Sequence, residues 1–335
     1  MNIYVAHMLA KMLGAANSVG VGRVVLDRLS PKRPINHDTM RDRISKGMAN
    51  FRDLFAFKEA GYKPNDATML EFGTGAQGLD IYTAYILGYK KVITLDINNH
   101  LNIEWAKAAD IYLEFQSEFA DVFGVSEDEL KEKVSVIKRA NSVDELLESI
   151  HCEFMLFKDL KPGFAGSDGI DLWYSESNLM RIPLRQIMPL CKTVADEMNE
   201  NALAFHRLDT RDVHQIPTYP FYAKNRHQLE YLKHSDLVWK LLNSDAYSSQ
   251  NRLRVAQFDQ MFNGFGQRLM KAEYIIRPGD LEFMQTLKVS DSYSYMTPEQ
   301  LSIAFARVFY TNSKAWQGVP DISVFPENFP NPRIK

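Results

Sequence analysis

The feature that most constrains this chain lies between residues 67 and 98. An apolar run, ATMLEF, passes directly into GTGAQG, then into the helically periodic LDIYTAYILGY, and then into a second apolar run, KKVITLDIN. Strand, glycine turn, helix and strand in that order form the βαβ unit of a parallel sheet. Gly73, Gly75 and Gly78 satisfy G-x-G-x-x-G immediately after the first strand. There, missing Cβ atoms permit a tight turn and let a ligand approach the backbone. Asp96 lies 18 residues beyond Gly78, at the end of the second strand. A carboxylate at that position can accept hydrogen bonds from a ribose diol. The pattern predicts a nucleotide-type cofactor site.

The charges beside the turn bear on which cofactor it takes. Glu71 stands two residues before the first glycine and Asp80 two after the last. A dinucleotide would bring an anionic pyrophosphate to the turn and the helix N-terminus. Carboxylates at that range oppose it. S-adenosylmethionine carries an ammonium, a sulfonium and no phosphate, so an acid at the mouth of the first strand suits it. The charge pattern favours the methyl donor. An NAD(P)-dependent oxidoreductase is the alternative enzyme, because the glycine fingerprint formally matches, and a non-catalytic cofactor-binding protein is a third reading.

Further strands are expected at CEFMLF, IDLWYSE, NALAFHRLD, QRLMKAEYII and, last, ARVFYTN. Helices are expected over IEWAKAADIYLEFQSEFADVF, SVDELLESI, the segment from Pro189 to Met198, and LRVAQFDQMFNGF. The pair Thr297 and Gln300 reads as a capping box. Alternating strands and helices predict an open, doubly wound, mostly parallel α/β sheet. Residues 1–60 read as an N-terminal helical extension. In it, Ile3, Val5, Met8, Leu9, Met12 and Leu13 recur at helical spacing, for packing on the body or a partner subunit. Residues 61–335 read as the sheet domain, with insertions near 101–150 and 215–250. The second insertion carries Tyr219, Phe221, Tyr222, Tyr231 and Trp239 and is expected to form a cap.

On LEFGTGAQG, VITLDIN, and FKDL followed by GIDLWYSESNLMRI, the sequence resembles the class I S-adenosylmethionine-dependent methyltransferase family. The resemblance spans roughly residues 67–275 and is carried by 67–98 and 152–183. It implies the Rossmann-like methyltransferase fold and S-adenosyl-L-methionine as cofactor. It further implies that Glu71 serves the methionine amino end, directly or through the backbone of the first turn. Gly73, Gly75 and Gly78 would line the cofactor, and Asp96 would take its ribose hydroxyls. Asp159 would approach the adenine amino group, and Ser175 would face the methyl-transfer centre. Plainer readings stand beside these: Glu71 as a solvated strand-end acid, Asp96 as a helix N-cap, Asp159 as a turn aspartate. Two departures stand out. The glycine turn is one residue longer than the commonest form, and Met180 and Arg181 occupy places where many relatives carry an acid–histidine pair.

Methyl transfer from a sulfonium is an in-line displacement, for which the protein must align the acceptor and exclude water. An oxygen or nitrogen acceptor also calls for a general base. After the expected fifth strand, HRLDTRDVH supplies Asp209, Asp212 and His214 at the carboxyl edge of the sheet, where ligands bind. These are the candidate catalytic residues, with a solvated loop as the competing reading. The spacing matches no metal motif. Arg252 and Arg254 in NRLR offer cationic contacts to an anionic substrate or, alternatively, ion pairs.

Composition excludes several classes. A net charge of 39 − 42 = −3 lacks the basic footprint of a nucleic-acid binder. Two distant cysteines, Cys152 and Cys191, make neither a disulfide framework nor a metal cluster, and point to a reducing compartment. No run of about 18 apolar residues marks a transmembrane helix, and the start of the chain fits a signal peptide poorly. The expectation is a cytoplasmic enzyme acting on a small-molecule or glycan-type acceptor, with the N-terminal helix available for homo-oligomer contacts.

Overall fold

The computed structural model describes residues 36–57, 64–212, 227–243 and 249–326. The amphipathic N-terminal pattern over residues 3–13 lies outside them. The strands are β1 (Thr68–Phe72), β2 (Lys91–Asp96), β3 (Cys152–Leu156), β4 (Ile170–Glu176), β5 (Met198–Asp209), β6 (Arg268–Ile276), β7 (Ile303–Thr311) and β8 (Asp321–Pro326). Before and between the first three strands run α1 (His37–Phe57), α2 (Leu79–Ile86), α3 (Glu104–Lys107), α4 (Gln116–Phe123), α5 (Glu127–Arg139) and α6 (Val143–Ser149). Later come α7 (Leu184–Asp196), α8 (Asp236–Leu242), α9 (Val255–Gly264), α10 (Asp280–Thr286) and α11 (Pro298–Ser302).

These strands form one sheet in the order β3-β2-β1-β4-β5-β7-β6-β8. Strands β1 to β5 run parallel, and β7 is antiparallel to both β5 and β6. This is the open, doubly wound, mostly parallel Rossmann-like fold expected from the sequence. Strand order reverses at β1: β2 lies on one side and β4 on the other. The crevice at the carboxyl ends of β1 and β4 is therefore the topological switch point where ligands bind in such sheets.

Every residue of β1 is buried, as a central parallel strand requires. Its alternation divides two cores. Met69 joins Val92, Leu172, Tyr174 and Phe205 under α1, α2 and the helices of residues 104–149, whereas Leu70 and Phe72 join Ile93, Trp173, Ala204 and Val308 against α7 and α9. Helix α1 contributes Met40, Ile44, Met48, Phe51 and Leu54 at three- and four-residue intervals, all nearly inaccessible to solvent. Each such side chain contributes roughly 1.5–3 kcal/mol of transfer free energy. Ser126 caps α5 by accepting from the Glu129 backbone, and the helix carries acids in its first turn and bases in its last. The capping box of Thr297 and Gln300 is present at α11.

Two features depart from expectation. The long periodic stretch after residue 101 is broken into α3, a 3₁₀ segment over Ala109–Phe115, and α4. A strand beyond ARVFYTN also exists: β8 pairs with β6 at the sheet edge. Both cysteines are buried free thiols. Among the described residues, no helix is long and apolar enough to cross a membrane.

A satellite core of Leu229, Tyr231, Leu232, Trp239, Met284, Tyr293 and Leu301 sits beside the sheet. Arg254 joins it to the sheet. Its fully buried guanidinium donates to the carbonyls of Thr210, Leu301 and Ile303 and to the Tyr231 hydroxyl. Truncating it would strand those carbonyls without water or partner. Arg254→Met is expected to cost about 3 kcal/mol, seen as a fall of roughly 6–12 °C in Tm by circular dichroism. A change within the error of the melt refutes the joint's importance.

Candidate functional site

The chain leaves β1 at Phe72, and the Gly73 N–H extends the ladder by donating to Leu95 O at 2.7 Å. Gly73, Gly75 and Gly78 then take φ values of +91°, +61° and +62°, the left-handed region that glycine occupies without strain. The turn delivers the chain into α2 with Gly78 as its N-cap. Space as well as φ selects glycine. A Cβ on Gly73 would lie 2.1 Å from the Asn178 carboxamide, and one on Gly78 would lie 2.7 Å from Leu101 Cδ1 and 3.2 Å from the Tyr82 hydroxyl. A Cβ on Gly75 would meet nothing within 4 Å among the described residues, so the middle of the turn opens outward.

Two side chains hold the turn. Asp96 Oδ2 accepts from the Gly75 N–H at 2.9 Å while its Oδ1 accepts from the Ile97 N–H at 2.6 Å. It is not a helix N-cap, because α3 begins only at Glu104. Asn178, just past β4, donates from Nδ2 to the carbonyls of Phe72, Gly73 and Glu176 at 3.0, 3.3 and 2.8 Å. Reading the sequence overlooked Asn178. Its signal was its place directly after a strand at the carboxyl edge.

Glu71 is not a solvated strand-end acid: it is 2% exposed, and its Oε2 accepts from Thr94 Oγ1 at 2.6 Å. Thr94 in turn bonds Thr74 of the turn. Burial, then the Asp80 charge, push the Glu71 carboxyl up to about 8, with Asp96 adding to the shift and the Thr94 hydroxyl opposing it. Asp80, in the first turn of α2, is partly exposed. Burial and the Glu176 charge raise its pKa, while the Tyr174 hydroxyl and Arg43 counter them. That hydroxyl donates to Asp80 Oδ1 at 3.3 Å and accepts from Asn50 Nδ2 of α1 at 2.9 Å. Beyond Tyr174 on the same sheet face runs a polar row. Glu176 pairs with Arg207, and Arg307 bonds Asp53, Asn50 and Glu273.

The other expected site residues fall as follows. Asp159 is exposed in the turn after β3, at the same carboxyl edge. Ser175 does not face the crevice. Strand parity turns it to the opposite face, fully buried, where its Oγ lies 3.1 Å from His206 Nδ1. His206 is likewise a core residue, stacked on Phe262 at 4.5 Å, and burial lowers its pKa to about 3. Asp209 is buried and bidentate with Arg211, at 2.9 and 2.8 Å, which fits an anchor better than a free base. Asp212 is fully buried, and its N–H donates to Gln228 O at 3.0 Å. His214, Tyr219, Phe221 and Tyr222 lie outside the described residues. The arginines of NRLR are not surface cations. Arg252 donates to His234 O and pairs with Asp236 while lying over Trp239, and Arg254 makes the joint described above. Asn251 ties this segment to the loop after β4 by donating to the carbonyls of Leu179, Met180 and Ile182. That is the setting of the divergent Met180 and Arg181. Among the described residues, no three His, Cys, Asp or Glu side chains are placed to hold a metal ion.

The sequence matches no family model and no curated protein. Solved structures similar to this chain include an S-adenosylmethionine-dependent methyltransferase from Mesorhizobium loti, at 15% identity and TM-score 0.41 over 78% of this chain and 97% of that one. A magnesium protoporphyrin IX methyltransferase from Synechocystis with bound SAH aligns at 13% identity and TM-score 0.38, over 89% and 96%. A plantazolicin methyltransferase in complex with SAH aligns at 10% identity and TM-score 0.43, over 93% and 96%.

Two variants test the site's construction. Gly73→Ala meets both a left-handed backbone and the Asn178 side chain, and is expected to cost about 2–4 kcal/mol in denaturant melts. For Glu71, the folded pKa of about 8 lies above its ordinary value of 4.5, so the folded state holds the extra proton between them. The contribution of this group to stability is therefore full below pH 4.5 and is lost as pH rises toward 8. Glu71→Gln should flatten that slope and stabilise the ligand-free protein at pH 8 by on the order of 2 kcal/mol. An unchanged slope between pH 5 and 8 would show that Glu71 is ionised throughout.

Proposed function

We propose that this chain is an S-adenosylmethionine-dependent methyltransferase acting on a small-molecule or glycan-type acceptor. One observation carries the reading: an open glycine turn at the switch point is lined by Glu71, Asp80 and Asp96. Such a site favours a cationic, phosphate-free nucleoside over a pyrophosphate, which like charges would repel.

The residues present fit that group. The turn is open at Gly75, whose φ of +61° disfavours a Cβ, and its N–H is already held by Asp96. Beneath the turn, the Tyr82 hydroxyl is buried without a hydrogen-bond partner among the described residues. Glu71 and Asp80 would hold the methionine end, the turn would pass along the nucleoside, and Asp96 would receive the ribose hydroxyls. Asp159 would lie on the adenine side. When bound, the donor supplies an activated methyl on a sulfonium. What the protein must add is alignment and exclusion of water. Tyr174 and Asn50 fix the acidic end of the site, and Asn178 clamps the turn to β4. The polar row of Glu176, Arg207, Arg307 and Asn50 begins beside the turn and presents donors and acceptors in balance, which suits a hydroxylated acceptor. Asp212 and His214 stay as candidates for taking the acceptor's proton. Asp209 is the weaker candidate because its ion pair with Arg211 occupies both oxygens.

Calorimetric titration tests the donor. SAH is expected to bind with a Kd in the micromolar range, NAD to give no saturable heat, and Asp96→Ala to weaken SAH by about tenfold or more. Tight NAD binding without SAH binding reverses the assignment to an oxidoreductase. Transfer of tritiated methyl to a panel of sugars and hydroxylated small molecules then tests turnover, and donor binding with no transfer to any of them favours a non-catalytic role.

A further inference from the structure

Two carboxylates flank the proposed methionine end, and the geometry separates their jobs. Glu71 sits in the sheet at 2% exposure, roofed by Thr94 and the Thr94–Thr74 contact. Asp80 stands on the near side, partly exposed in the first turn after Gly78.

Three residues from two elements surround Asp80. From β4 the Tyr174 hydroxyl donates to Oδ1 at 3.3 Å. From α1, Asn50 fixes that hydroxyl at 2.9 Å. Also from α1, Gly47 backs so closely that a Cβ there would lie 3.0 Å from Oδ1. A second, independent observation lies at the turn itself: the Tyr82 hydroxyl, fully buried beneath Gly78, has no hydrogen-bond partner among the described residues. Burial and the Glu176 charge work against the ionised form of Asp80 and Arg43 offsets them, so an incoming cation favours that form further.

We propose that Asp80, rather than Glu71, is the group that directly receives the α-ammonium of the donor's methionine moiety. This rests on the methyl-donor reading of the site. Tyr174, Asn50 and Gly47 act on it as positioning residues, and Glu71 stays behind Thr94. Glycine at position 47, in the middle of α1, is then explained by the space its neighbour needs.

The test compares two nucleosides. SAH carries the ammonium and carboxylate of the amino-acid arm, and 5′-methylthioadenosine carries neither. Calorimetry with wild type, Asp80→Asn and Glu71→Gln should show Asp80→Asn weakening SAH by about 10- to 100-fold and leaving methylthioadenosine within about twofold. Glu71→Gln should affect SAH less. Gly47→Ala provides a check insensitive to misfolding: it favours the helix by about 1 kcal/mol yet crowds Asp80. It should weaken SAH selectively without lowering Tm. If wild type binds both nucleosides and Asp80→Asn moves them equally or not at all, the role of Asp80 is overturned and the donor reading stands. If Glu71→Gln gives the SAH-selective loss instead, Glu71 is the direct contact. If wild type binds neither, the donor reading fails and this assignment with it.

Discussion

A carboxylate inside a parallel sheet is costly, and the rest of this site is arranged around that cost. Glu71 has one hydroxyl donor, Thr94, and acids at Asp80 and Asp96 nearby. Desolvation and like charge both favour its protonated form. Three neighbouring features follow from the same pressure. Thr94 and Thr74 join into a hydroxyl pair over it, Asp96 is turned to backbone N–H groups, and Asp80 is tied to a tyrosine. Each lowers the local repulsion, and at Asp80 the Arg43 charge adds to the effect. Such a pocket is electrostatically incomplete until something cationic enters, which is why the charge pattern discriminates between nucleotide classes where the glycine turn alone does not.

Positive charge is abundant nearby but differently employed. Arg252 and Arg254 spend their donors on backbone carbonyls and an ion pair. Arg211 is paired with Asp209 and lies 4.0 Å from the Phe305 ring centre. Arg207 and Arg307 are matched with Glu176, Asp53 and Glu273. Buried guanidiniums that donate to several carbonyls hold loops in register, because removing one strands those carbonyls at once. The arginines thus explain how the region after β5 is anchored, and they argue against an anionic docking site built from NRLR.

Much of this was legible in the sequence, for identifiable reasons. β1, the turn, α2 and β2 combine a change of periodicity with glycines that the backbone needs at φ +91°, +61° and +62°. The strands through ARVFYTN carry continuous apolar runs. β8 was invisible because it begins just after Pro320, ends on Pro326 and keeps Ile322 and Val324 more than half exposed. An edge strand needs no apolar continuity, so no pattern announced it. Within the site, Glu71, the glycines and Asp96 could be found from spacing. Ser175 was misplaced by one residue of parity: in a strand, neighbouring side chains face opposite ways, so Tyr174 and Glu176 take the crevice side while Ser175 joins His206 in the core. Asp209 looked like a base because residue type does not reveal a bidentate partner two residues away.

Parity also decides what α1 is. Glu71, Tyr174 and Glu176 share the sheet face that α1 covers, so that helix can reach the strand-end side chains from above. Asn50 reaches both, at 2.9 and 3.2 Å, and Asp53 reaches Arg307 across the same face. No sequence signal links a helix residue to a strand 124 positions later. Only the folded register shows that this helix is a wall of the crevice. Its buried stripe from Met40 to Leu54 anchors it to the sheet, and its polar positions at 50 and 53 face the strand ends. A helix attached this way sets the volume beside Asp80 and the polar row together, so the shape offered to an acceptor depends on α1 as directly as on the loops that follow β4 and β5.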